Sequence, residues 1–161
     1  MAGSLKKMPQ VWLVLVLSLS ACGEKTPEQQ SLPLPERPVA SKYITDQASV
    51  AGISLVLWDE QGGCRLQVGK AAPEAWLKPT APCHFVKAPG RQDVQVFQQS
   101  KASRIVAVVG TPTSKPRCGQ EVQGLIVEGS AVRLSTYIMQ GSVYCADQGL
   151  QNFQYGLFDK R

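Results

Sequence analysis

Six residues of this 161-residue chain carry side chains suited to covalent or metal chemistry near neutral pH: Cys22, Cys64, Cys83, Cys118 and Cys145, and the single histidine His84. Thiolates act as nucleophiles, metal ligands or disulfide partners, and imidazole serves as ligand or general base. The spacing limits these roles. No Cys-x-x-Cys pair is present to support redox exchange. The adjacent Cys83-His84 pair invites a metal, but in an extended segment neighbouring side chains project to opposite faces and cannot ligate one ion. No metal and no cofactor is therefore expected. A hydrolytic triad would have to use His84, yet no Gly-x-Ser-x-Gly elbow accompanies it. Ser130 and Ser142 each follow a glycine in a turn setting, where both residue types serve the backbone. Of the 12 acidic residues, Glu24, Glu28, Glu36, Asp46, Asp59 and Glu60 fall in a proline-rich stretch or beside turns, and none marks a catalytic pair. A phosphate-cradling loop and a dinucleotide fingerprint are also missing. The expectation is a protein that is not an enzyme, with no catalytic residue assigned.

Cys22 has a different setting. Lys6 and Lys7 precede an apolar run at 11–19, which is far shorter than the roughly 20 residues a spanning helix needs. Leu19-Ser20-Ala21-Cys22 follows, and it resembles the lipobox of bacterial lipoproteins at all four positions. An ordinary secretory cleavage site prefers a small residue where Leu19 stands. The resemblance implies that the Cys22 thiol is alkylated with diacylglycerol, that residues 1–21 are removed, and that the new amino group is acylated. With about 0.8 kcal/mol per buried methylene and more than one chain, such an anchor holds durably. In that family an Asp after the lipidated Cys tends to retain the protein in the inner membrane. Here the residue is Gly23, so an outer-membrane location with the domain facing the periplasm is expected. The resemblance covers the targeting segment alone.

Removing the leader takes away Lys6 and Lys7 and no acid, leaving 140 residues with 15 Lys and Arg against 12 Asp and Glu. That mild excess, without a basic patch, speaks against a nucleic-acid partner. Four cysteines remain once Cys22 is lipidated, an even number in an oxidising compartment. They admit three pairings, which sequence alone does not decide. Proximity favours Cys64 with Cys83 and Cys118 with Cys145, each bond worth about 3 kcal/mol in the chain-entropy model.

Residues 22–47 read as the lipidated cysteine and a disordered tether, with Pro27, Pro33, Pro35 and Pro38 and little to bury. About 25 such residues span some 25 to 30 Å on average. Residues 48–161 read as one all-β domain, a small antiparallel barrel or two-sheet sandwich of about eight strands stapled by disulfides. Ile53, Leu55 and Leu57 alternate along a first strand. The turn-forming 59–63 leads to a second, in which Cys64, Leu66 and Val68 oppose Arg65 and Gln67. Further strands are expected at 83–87, 94–98, 104–109, 121–127, 132–139 and 153–158, with a hairpin at 128–130. Ile105 to Val109 is apolar throughout and is the candidate central strand, covered on both faces. A single helix-like signal occurs at 73–77, cut short by Pro79.

An anchor, a spacer and a rigid β-domain together form a display device. The expected partners are the membrane, through the anchor, and an envelope protein, while a small-molecule ligand stays open. Two turn-rich loops on the scaffold are the candidate contact surfaces. One is 87–93 with Lys87 and Arg91, and the other is 111–117 with Lys115 and Arg117. The aromatic residues Tyr137, Tyr144, Phe153, Tyr155 and Phe158 read as packing. Two roles follow: an accessory of an envelope assembly, or an inhibitor or immunity-type lipoprotein that blocks an envelope hydrolase such as a lysozyme. The broad architecture resembles the lysozyme-inhibitor lipoproteins, although none of their motif residues is matched.

Overall fold

The computed structural model describes residues 41–70, 75–98, 100–151 and 158–159. Its first four strands, β1 (Lys42–Val50), β2 (Ile53–Glu60), β3 (Gly63–Val68) and β4 (Ala75–Thr80), form an antiparallel sheet in that order. The remaining strands are β5 (His84–Phe85), β6 (Phe97–Gln98), β7 (Ser103–Pro112), β8 (Cys118–Glu128), β9 (Ala131–Met139) and β10 (Tyr144–Cys145). They make a second sheet in which β7 and β8 are central, flanked by β5 and β6 on one side and by β9 and β10 on the other. The domain is thus all-β and a two-sheet sandwich, and the sheets do not close into a barrel.

Turn chemistry explains the first hairpins. Ala51-Gly52 and Gln61-Gly62 both hold positive φ at two successive residues. That conformation matches the twist of the strands it joins. The 128–130 hairpin forms as expected, with Gly129 at φ 59°. In β2 and β3 the alternation also holds, with Leu55, Leu57, Cys64 and Leu66 buried and Arg65 and Gln67 half-buried on the other side.

Two hydrophobic layers result. Between the sheets lie Leu55, Leu57, Leu66, Phe85, Val106, Val108 and Leu125. Behind the second sheet, Ile105, Ala107, Val109 and Ile126 pack with Val86, Ala146, Leu150 and Phe158. Strand β7 therefore buries both faces, as its uninterrupted apolar run requires. Tyr137 meets Phe158 edge-on at 5.6 Å, and Gly124 leaves room for that ring, since an added Cβ would lie 2.4 Å from it.

Both proximity pairings form. Cys118 and Cys145 are directly opposed residues of β8 and β10, so this disulfide staples neighbouring strands. Cys64–Cys83 instead joins β3 to the residue before β5, and thus crosses from one sheet to the other.

Several expectations change. The stretch assigned to the tether up to residue 47 contains most of β1, which begins at Lys42. Its polar residues deceive because the strand is an edge whose outer positions face water. Ala75 to Leu77 is strand and not a helical turn, because Trp76 points outward and Leu77 inward against β3. Pro79 is tolerated there because β4 is an edge strand. The strands expected at 83–87 and 94–98 shrink to two residues each, linked by a bridge between Lys87 and Val94. Except for Phe158, the strand expected at 153–158 lies outside the described residues, as do Cys22 and Gly23.

Candidate functional site

Residues at the ends of the two candidate loops, Lys87 and Arg117, are both tied to a short segment after β10. The backbone N–H of Ala146 donates to the Arg117 carbonyl at 2.9 Å, while the Ala146 carbonyl accepts from the Lys87 N–H at 2.7 Å. The disulfide Cys118–Cys145 pins that segment to β8. Gln95 adds a two-way amide clasp, donating to the Leu150 carbonyl and accepting the Leu150 N–H. Loops that the sequence presents as separate are thus joined through one residue, Ala146.

The four candidate cations do not share one fate. Lys87 donates to Gln92 at 3.0 Å and Arg91 pairs with Asp93 at 2.6 Å, so both interact within their own loop. Lys115 is exposed near the tip of the other loop. Arg117 is not offered outward as its loop position suggests. It forms ion pairs with Asp46 and Asp147, each at 3.1 Å.

Asp46 is the hub of this cluster. A bulge in β1 beside Thr45 turns its carboxylate toward β5. There it accepts the Phe85 N–H at 3.1 Å, besides the Arg117 guanidinium. The Thr45 hydroxyl donates to the Cys83 carbonyl at 2.7 Å. His84 Nδ1 stands 3.9 Å from Asp46 and is buried without a hydrogen-bond partner. Burial in this setting disfavours the charged imidazole, and the nearby Arg117 adds to that. Together they hold the pKa below its usual value despite the opposing pull of Asp46, Asp147 and a backbone hydrogen bond with Thr45. Cys83 and His84 face apart, as strand geometry dictates, Cys83 going to its disulfide and His84 to the ion cluster. Among the described residues, no hydrogen bond joins His84 to Ser130 or Ser142, and no group of three or more His, Cys, Asp or Glu is arranged to hold a metal ion.

Thr111, at the base of the 111–117 loop, forms one wall of an open cleft of about 480 Å³. Gln120 and Glu121 line its floor, and the β9–β10 connection from Gln140 to Val143 forms the other wall. This volume lies within the range of small-ligand sites, roughly 300 to 1,000 Å³. Thr111 has φ 58°, a costly conformation for a β-branched residue. Its hydroxyl holds it there, accepting the Thr80 N–H at 3.1 Å and donating to Glu121 at 2.6 Å. Gln140 donates to the other Glu121 oxygen at 2.6 Å. The carboxylate is thereby fixed in place, with Val143 half-exposed at the rim. The cleft can accept hydrogen bonds at Glu121 and take an apolar group at Val143. Ser142, a turn residue in the sequence, is part of its wall.

Asp46, Thr111, Glu121 and Gln140 were not legible as site residues. Asp46 sits in a polar stretch that reads as spacer, and the other three come together only through strand pairing. One signal was available, since Thr111 opens a loop singled out for its turn residues.

Comparison with protein-family models, with curated proteins and with solved structures finds no match to this chain.

Proposed function

We propose that this chain is a membrane-anchored lipoprotein of the bacterial envelope whose β-domain serves as a binding or accessory module, with the cleft and its two joined loops as the contact surface. The observation that carries this reading is Leu19-Ser20-Ala21-Cys22 after a short apolar run. It calls for acyl chains on Cys22 and an outer-membrane, periplasm-facing domain. The concave, rigidly framed cleft supports an accessory role, in which a protruding element of a partner seats in it. An inhibitor would instead present a projecting loop to an enzyme cleft, and the end residue of the 111–117 loop, Arg117, is bound back into the domain.

The test has two parts. Mass spectrometry of the protein made in a bacterial host should find Cys22 acylated and N-terminal, and an unmodified thiol refutes the reading. Capture with the anchored protein should then recover a multi-protein envelope complex. Val143→Glu should weaken that capture about tenfold, a loss of some 1.4 kcal/mol, with its unfolding temperature unchanged. Recovery of one soluble hydrolase whose activity the domain suppresses would favour inhibition instead.

A further inference from the structure

The outer face of the first sheet carries a feature that the cleft does not use. Register places Ile44 opposite Trp58, Trp58 opposite Arg65, and Arg65 opposite Trp76, one continuous row across all four strands. Trp58 and Trp76 are the two tryptophans that follow Cys22. Trp76 is 54% exposed and Ile44 44%, both large values for apolar side chains in a sheet. Each indole is dressed with a cation. The Lys42 ammonium lies 4.9 Å from the Trp58 ring centroid, and the Arg65 guanidinium lies 4.8 Å from that of Trp76. Gly63 makes the arrangement possible, since a Cβ there would come within 2.6 Å of the Trp76 ring.

Such a row could take a sugar chain, stacked on the indoles, or the interfacial zone of a bilayer. The geometry discriminates between them. Sugar stacking uses bare ring faces, and Lys42 and Arg65 each occupy one of the two faces of an indole, which halves the surface a sugar could use. Amphipathic indoles edged by cations suit the headgroup region, where Trp is enriched and basic residues meet anionic lipid. Lys42 and Arg65 flank a single acid, Glu60, giving the row a positive excess. The row also begins at β1, the strand that residues 22–40 join to Cys22.

We propose that this face is a membrane-docking surface: the Ile44–Trp58–Arg65–Trp76 row rests on the anionic lipid surface to which Cys22 is anchored. This rests on the lipoprotein reading for its proximity to lipid, and it assigns a second, reversible contact that orients the domain. The cleft is built on the other sheet, so docking would leave it open to partners.

Tryptophan emission reads the face directly. The acylated mature protein, from which Trp12 has been cut with residues 1–21, is placed on phosphatidylethanolamine–phosphatidylglycerol vesicles carrying brominated acyl chains. Emission should fall about twofold relative to unbrominated vesicles, as interfacial indoles require. Ile44→Glu should restore most of it while the protein stays vesicle-bound. A bound protein with unquenched emission overturns the docking surface and leaves the anchor intact. Cys22→Ser in the mature chain freed of residues 1–21, whose apolar run would itself bind lipid, separates the two ideas from the other side. Without acylation the face alone should still give weak binding to the anionic vesicles that salt abolishes, and no binding at low salt counts against it. A shift of emission by glycan oligomers, with vesicles inert, would assign the row to sugar and overturn the proposal.

Discussion

Between β1 and β5 the gap at one side of the sandwich is spanned by charged groups, with Asp46 receiving the Phe85 N–H and the Arg117 guanidinium beside His84. Between β4 and β8 it is spanned by a neutral amide. Gln123, 1% exposed, accepts the Lys78 N–H and donates to the Ser135 carbonyl, each at 2.9 Å. Both devices satisfy backbone groups that main-chain pairing between the sheets leaves over. They differ in what the solvent can do to them. The amide has no proton to gain, whereas the charged side includes a histidine that titrates. The amide bridge carries no titrating group, and the charged bridge lies beside one, His84.

Removing the amide should have the largest effect. Gln123→Leu leaves the buried Ser135 carbonyl and the part-buried Lys78 N–H without their side-chain partner, and a loss of about 2 to 3 kcal/mol is expected. Urea unfolding measures it, and the deficit should be the same in weak acid as at neutral pH. A deficit that grows with acidity would end the contrast between the two sides. Asp46→Ala comes next, at about 2 kcal/mol, because it strands the Phe85 N–H and deprives Arg117 of one partner. It also removes a carboxylate that favours the charged imidazole and leaves Arg117 facing His84. The same unfolding series should then show a steeper loss of stability on acidification than the parent shows.

The smallest effect is the pH response itself. In the unfolded chain His84 titrates near 6.5, and in the folded domain lower. Between those two values the unfolded chain binds more protons, so stability falls as pH drops through the interval and is level above it. Thermal melts from about pH 8 to about pH 5 should show this, and His84→Gln should flatten the His84-dependent part. A parent whose stability rises on acidification through that interval would show that Asp46 and Asp147 outweigh burial.

Local pattern was enough to reveal the hairpins. The turn residues at Gly62 and Gly129, the alternation in β2 and β3, and the apolar run of β7 each reflect forces acting within a few residues. Edge strands were harder to read. The first part of β1 reads as spacer and the start of β4 as a helical turn, because an edge buries one face and tolerates polar residues and proline, which blurs the period that identifies a strand. The site was harder still. Arg117 reads as a loop cation, and only the bulge at Thr45 brings Asp46 within reach of it.

What the sequence by itself determined is the all-β class and the expectation of a lipid anchor at Cys22, because each is written in contiguous or alternating residues, whereas proximity in the chain favoured one cysteine pairing without deciding it. The tertiary structure alone decided which polar groups meet: Glu121 with Thr111 and Gln140, Asp46 with Arg117, and the Ile44–Trp58–Arg65–Trp76 row. Those contacts depend on strand register and sheet packing, which place residues far apart in sequence within a few ångströms and leave no local trace of having done so.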